Sequence, residues 1–379
     1  PMVEWSHPPL LASTSFESSR GRGADGARIV ARTTEEVEAF PCLDIWARRS
    51  TAAPLNFEQA QSLIAFLALP DGTHHAKSDE TSTVFFVLPM DGNLFYGISC
   101  HRRVGSADLL HRDESVSRSA VQKAVCVLSR CPFFGLIQER LSPVTQAFFE
   151  QKDFRSTTLL SGFYDQLNSV PFEKLSESEL LLGLDHAPVF RALKHELLCV
   201  LKAILLEAKV LVYSMSAELC SRTVLCLLSL LPGAAWLAFN SNGLGSRHYH
   251  FRKYGLPLQC FGPRCCVYPY LGLQMLDALL QMRGFLVGTT NRMLVERASP
   301  DVLLEVQTDA ETGAVCYSLS FANKELKQLV KCSAQDKSWL QDSLSVLEAA
   351  APKPQQPQQQ PHRQPSQPSH PSQQQRQQQ

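Results

Sequence analysis

The stretch Val121–Leu141, VQKAVCVLSRCPFFGLIQERL, decides how the chain is to be read. Five apolar residues in a row (AVCVL) enclose Cys126, a second thiol follows at Cys131, and Pro132 opens another apolar series. The run could be a reactive thiol site, a membrane segment or a piece of core. AVCVLS is too short for a helix and is bounded by polar residues, which predicts a buried strand. Upstream, TVFFVLP and LFYGISCHR flank the turn sequence MDGN, a hairpin signal. Downstream, Phe133, Ile137, Leu141, Val144 and Phe148 recur at steps of four, four, three and four, the stripe of an amphipathic helix. Cys131-Pro132 is expected in its first turn, where a missing N–H costs nothing. Pro143 lies inside that helix. At about 3 kcal/mol for an interior proline, a kink or a break into two helices is expected near Leu141.

The totals fit a globular core. The 379 residues are 44% hydrophobic and 19% charged, with 36 basic residues against 36 acidic. A net charge of zero leaves no global field to attract nucleic acid or an anionic membrane, so nucleic acid is not an expected partner. The 12 cysteines are scattered and mostly sit in apolar runs, as reduced, buried thiols do. PMVEWSHPPLL has neither an initiator Met at its first position nor the regions of a signal peptide, so a truncated start and a cytoplasmic location are expected. Thr223–Phe239 is the best membrane candidate, but its 17 uncharged residues are interrupted by Pro232-Gly233. A spanning helix needs about 20 apolar residues.

The chain reads as α/β: a sheet-and-helix N-terminal module, an α/β second module and a disordered tail. Residues 1–168 form the first module, with a low-complexity insertion at 11–61 that holds at most one short helix. Residues 169–188 read as a linker. Residues 189–347 form the second module, where HELLCVLKAILLEAKVLVYS and the apolar run to Pro232-Gly233 give helix, strand and helix. CVYPYL, RGFLVGTT and VLLEVQ are expected strands, GLQMLDALLQM a helix, and Asn323–Leu347 a polar helical stretch. Residues 348–379 are Pro/Gln/Ser-rich and cannot bury enough to fold.

Catalytic signatures are missing from the sequence. There is no phosphate-cradling GxxxxGK[ST], and Gly243-Leu-Gly245 lacks the strand and the third glycine of a dinucleotide fingerprint. Neither a Gly-x-Ser-x-Gly elbow nor HExxH occurs. His248, His250, Cys260, Cys265 and Cys266 are the sharpest metal candidates, but their spacing departs from the Cys-x(2 to 4)-Cys pairs of structural zinc. A loop and a strand are the plainer reading. Cys126 should behave as a small hydrophobe, and Cys131, though at a helix start, has no nearby histidine. No catalytic residue, metal or cofactor is therefore assigned. The basic aromatic stretch RHYHFRKY (residues 247–254) and His101-Arg102-Arg103 read as solvated surface or as partner contacts.

Several segments together resemble the Avl-nine group of DENN-domain proteins. They include VEWSHPPL, FLALPDGTHH, TVFFVLP, SVSRSAVQKAVCVLSRCPFFGLIQERL, FFEQKDF, HELLCVLKAILLEAKVLVYS, LCLLSLLPG, CVYPYLGLQMLDAL, RGFLVGTTN and VLLEVQ. Their order and spacing extend the resemblance over residues 1–10 and 63–306. It implies a longin-like module followed by a DENN module, the latter C-terminally incomplete. It also implies action in late secretory traffic from Golgi to cell surface, as a guanine nucleotide exchange factor for a Rab-type small GTPase. Location would be cytoplasmic, with peripheral association to late Golgi or secretory-vesicle membranes. Departures are the insertion at 11–61, Pro143, a short 234–255 segment and the Gln/Pro tail. The expected partner surface takes in His101, Arg102, Arg103, Arg252, Lys253, Thr290, Asn291 and Arg292. The competing reading is a non-catalytic scaffold or adaptor in vesicle transport and cell migration, using RHYHFRKY and the tail as contacts.

Overall fold

The computed structural model describes residues 57–71, 81–90, 93–111, 119–129, 132–171, 182–184, 186–231 and 264–350. The expectations for the greater part of 11–61, for Cys131, for RHYHFRKY and for the Pro/Gln tail lie outside these residues.

Helix α1 (Phe57–Ala68) begins inside the stretch expected to be low-complexity and leads to a three-stranded antiparallel sheet. Its strands are β1 (Ser82–Met90), β2 (Asn93–Gly105) and β3 (Ala120–Ser129), in that order across the sheet. The expected hairpin is present, closing with Met90 opposite Asn93. Side chains alternate across a strand, and both faces of β1 and β2 are covered. Tyr96 packs edge-on against Phe134 at 5.7 Å between ring centres, while Ser99 on the opposite face donates to the Ala68 carbonyl at 2.8 Å. Val84, Phe85, Phe86, Val87 and Leu88 are all buried in consequence. The opening stretch departs from expectation here, because every residue of β3 is only half-buried. β1 and β3 are both outer strands of the sheet, and the difference is cover: the helix Ala217–Ser229 lies against β1.

Helix α2 (Phe134–Glu150) crosses that sheet in one unbroken run. It starts after Pro132 rather than with it, since Phe133 is the capping residue and Ile137 N–H bonds to the Phe133 carbonyl at 3.0 Å. The expected break at Pro143 does not occur. Both Pro143 and Glu139, whose carbonyl loses its i+4 donor, are on the exposed side, where water can satisfy the orphan acceptor. Leu141, Thr145 and Phe148 hold the inner face of the same turns in the core. Helix α3 (Thr158–Asn168) follows.

The second layer begins with α4 (His186–Leu193), α5 (His195–Leu205), β4 (Lys209–Tyr213) and α6 (Ala217–Ser229). It continues with β5 (Cys265–Tyr268), α7 (Leu276–Leu280), β6 (Gly284–Thr289), α8 (Arg292–Ala298) and β7 (Val302–Thr308). It ends in β8 (Val315–Phe321), α9 (Lys324–Leu329) and α10 (Ala334–Ala350). The strand order is β5-β6-β4-β7-β8, parallel throughout except for the antiparallel edge pair β7–β8. Strands covered on both faces read as continuous apolar runs, and β5 and β6 are buried at every position. β8 is an addition to the expected strands, an edge strand whose residues alternate half-buried and exposed. Side chains set the helix starts. Ser216 caps α6 through Leu219 N–H, Asn291 caps α8 through Met293 N–H, and Asn323 caps α9 through Leu326 N–H. The fold is thus mixed α/β, with one continuous core running from α1 to α10. A smaller cluster of Phe148, Phe149 and Leu160 lies under β3.

Candidate functional site

The two sheets meet along α6. β1 is the edge of its sheet, so the Thr83 and Phe85 N–H groups have no strand to pair with. α6 supplies the acceptors: Glu218 Oε2 takes the Thr83 N–H and Ser221 Oγ the Phe85 N–H, each at 3.3 Å. Arg222, one turn on from Glu218, ties the neighbouring pieces together. Its guanidinium donates to Glu218 Oε1 at 2.6 Å, to Gln138 Oε1 of α2 at 3.2 Å and to the Gly183 carbonyl at 2.6 Å. Gln138 in turn donates to Thr83 Oγ1 at 3.2 Å. The 182–184 segment presses on the first turn of α2 so closely that a Cβ on Gly135 would collide with the Leu182 carbonyl.

A second joint is formed at the carboxyl ends of the parallel strands, the side on which open α/β sheets ordinarily receive ligands. Here the turn after α1 fills it. Asp71 N–H donates to Tyr270 Oη at 3.0 Å, Thr290 Oγ1 donates to the Asp71 carbonyl at 2.8 Å, and Asn291 Nδ2 donates to Asp71 Oδ2 at 3.0 Å. Tyr270 is fully buried, and burial drives its phenol well above the ordinary value, so it stays neutral as an acceptor and donor. Gly288 is required beside it, because any Cβ there would meet the Pro269 carbonyl.

These joints reassign the residues expected to meet a partner. Thr290, buried, and Asn291, half-buried, both bond Asp71, and Asn291 also caps α8. Arg292 is the outward member: its side chain is 57% exposed, bonded to Glu305 at 2.6 Å and set over the Tyr213 ring at 5.2 Å. Met215 and Met293 are exposed on either side of it in sequence, Met215 after β4 and Met293 within α8. His101, Arg102 and Arg103 lie in strand β2, not in a loop. His101 is buried, with Nδ1 unpartnered, and burial lowers its pKa to about 4. It presents no surface. Arg102 projects on the other face, 5.8 Å over the Phe149 ring, beside Lys123 over Phe154 at 5.0 Å, and Arg103 is exposed. The Arg102 group and the Arg292 group therefore hang from different sheets and different partners. Arg252 and Lys253 lie outside the described residues.

The thiols are placed as packing groups. Cys126 is in β3, where burial raises it to about 12, and Cys220, Cys265 and Cys266 are buried and raised for the same reason. Among the described residues no group of three or more His, Cys, Asp and Glu side chains could hold a metal ion. His248, His250 and Cys260 of the metal candidate lie outside them. No helix among the described residues is long and apolar enough to cross a membrane. Thr223–Ser229, the start of the apolar segment, belongs to α6 and packs on β1, β4 and β6.

Sequence reading passed over Asp71, Tyr270, Glu218, Ser221 and Arg222. The Glu218–Arg222 spacing of four was a visible helix pair, but its use as an edge clamp depends on contacts more than 130 residues away. With the joint in view, comparison with known proteins becomes informative. The profile of the family described as "Transport protein Avl9" matches residues 41–364 and so takes in both sheets and both joints. The chain belongs to the Avl9 family. It is 30% identical over 321 residues to the Saccharomyces cerevisiae "Late secretory pathway protein AVL9", covering 73% of this chain and 41% of that protein. It is 30% identical over 317 residues to the Schizosaccharomyces pombe "Late secretory pathway protein avl9", covering 78% of this chain and 65% of that one. This Avl9-family chain therefore spans between two fifths and two thirds of the length of these relatives.

Proposed function

We propose that this chain works in late secretory traffic as a nucleotide exchange factor for a Rab-type small GTPase. The observation that carries the reading is the family match over residues 41–364, with relatives named for the late secretory pathway. Exchange needs no covalent chemistry. A factor that binds the nucleotide-free GTPase more tightly than the nucleotide-bound form shifts the population toward release. What it requires is a platform stiff enough to hold a GTPase away from its preferred conformation. The clamp of α6 on β1 and the seating of Asp71 against Tyr270, Thr290 and Asn291 supply such stiffness.

The contact surface in this reading is the outward side of the second joint, formed by Met215, Arg292 and Met293. Methionine and arginine are enriched in protein interfaces. Arg292 is held by Glu305 and the Tyr213 ring before any partner arrives, which reduces the ordering cost of binding. The test is release of fluorescent GDP from a panel of Rab GTPases in the presence of the full chain. Acceleration of tenfold or more on one member, reduced by Arg292→Ala with the melting temperature retained, supports the reading. Unaltered release across the panel rules out exchange, and steady binding of a Rab in every nucleotide state would then favour a scaffold.

A further inference from the structure

Two cysteines stand apart from the packed thiols. Cys199 lies on α5 and Cys332 in the short turn between α9 and α10, and both are half-buried. Their sulfurs are 3.7 Å apart, and both thiols donate to the His195 carbonyl, Cys199 at 3.6 Å and Cys332 at 3.1 Å. A disulfide sets its sulfurs about 2 Å apart, so the two sulfurs must approach by a little under 2 Å to bond. The same junction is otherwise held by Lys202, which pairs with Asp336 at 2.6 Å and reaches the Lys331 carbonyl at 3.5 Å. A partly exposed ion pair of that kind holds modestly and is screened by salt.

We infer that Cys199 and Cys332 form a reversible thiol–disulfide modification site that locks α9 and α10 onto α5. The oxidant class is a low-molecular-weight disulfide such as glutathione disulfide. One cysteine attacks it, forming a mixed disulfide and releasing one glutathione. The second cysteine displaces the remaining glutathione and forms the Cys199–Cys332 bond. Two electrons pass from the cysteine pair to glutathione disulfide, and the two thiol protons end on the two glutathione molecules. Burial and the neighbouring Cys332 thiol raise Cys199 to about 11, so closure is slow at neutral pH and quickens as pH rises. The product adds to that ion pair a covalent link closing a long chain loop, the case in which a cross-link constrains the unfolded chain most.

The test exposes the full chain to glutathione disulfide, blocks free thiols and maps peptides without reduction. A Cys199–Cys332 linked peptide that dithiothreitol dissolves is the expected result. Oxidation should also raise the melting temperature by roughly 5 °C. Cys332→Ser and Cys199→Ser should each abolish both effects while melting, in the reduced state, with reduced wild type. Separate glutathione adducts on the two cysteines without a link overturn the inference. So does a link that recruits the exposed Cys316 instead, or an oxidised protein that melts no higher than the reduced one.

Discussion

Replacing Ser221 by alanine removes one hydroxyl from α6 and tests how the two sheets are joined. Ser221 Oγ accepts the Phe85 N–H at 3.3 Å and donates to the Ala217 carbonyl at 2.7 Å. Alanine improves helix propensity by about half a kcal/mol. Against that, the Phe85 N–H is left without an acceptor in a strand whose neighbouring side chains are closed to water. A buried, unpaired donor costs about 1–3 kcal/mol. The balance is a loss of roughly 0.5–2.5 kcal/mol, which lowers the melting temperature by about 1–3 °C for a protein of this size. Urea or thermal unfolding reads the global effect, and amide hydrogen exchange reads the local one. The Phe85 amide should exchange about tenfold faster for each 1.4 kcal/mol lost, and more so than amides of β6. A Ser221→Ala protein as stable as wild type, with Phe85 exchange unchanged, would refute the idea that α6 completes the edge of β1.

Further substitutions probe the packing and the titrating groups. Gly135→Ala drives a methyl group into the Leu182 carbonyl and should cost about 1–3 kcal/mol in a urea titration; an unshifted midpoint would mean that the 182–184 segment is not fixed on α2. His101 has its pKa lowered by burial from the ordinary 6.5 to about 4, so between those values the unfolded chain binds the proton and the fold does not. Stability is unaffected above pH 6.5 and falls by about 3 kcal/mol as pH drops to 4. His101→Leu should flatten that stretch of the stability–pH curve, and an unchanged slope would assign the loss to other groups.

How much was legible in the sequence follows from where each contact lies along the chain. TVFFVLP, KVLVYS and RGFLVGTT declared themselves because strands covered on both faces carry unbroken apolar runs. β8 was missed although Val315, Tyr317, Leu319 and Phe321 alternate correctly after Gly313, since a half-exposed edge strand offers a weaker signal than a buried run. Of the kink or break expected near Leu141, the break is absent, and propensity alone could not show this because it does not say which way a helix faces. The Pro143 ring and the carbonyl it strands are on the wet side. At the site, strand alternation could have separated His101 from Arg102, which point to opposite faces. Nothing local could have shown that Thr290 and Asn291 are consumed by Asp71, about 220 residues earlier in the chain. The polar GTTN sequence reads as surface until the turn that covers it is in place.

The most direct measurement of the functional claim is the rate at which GDP leaves a Rab-type GTPase when the full chain is added in catalytic amount. The account predicts that one member of a Rab panel releases GDP at least tenfold faster, that the nucleotide-free GTPase is retained by the chain in preference to the GDP form, and that Arg292→Ala weakens both effects without lowering stability. Equal affinity for the nucleotide-free and GDP-bound forms across the panel, with no change in release rate, would contradict it.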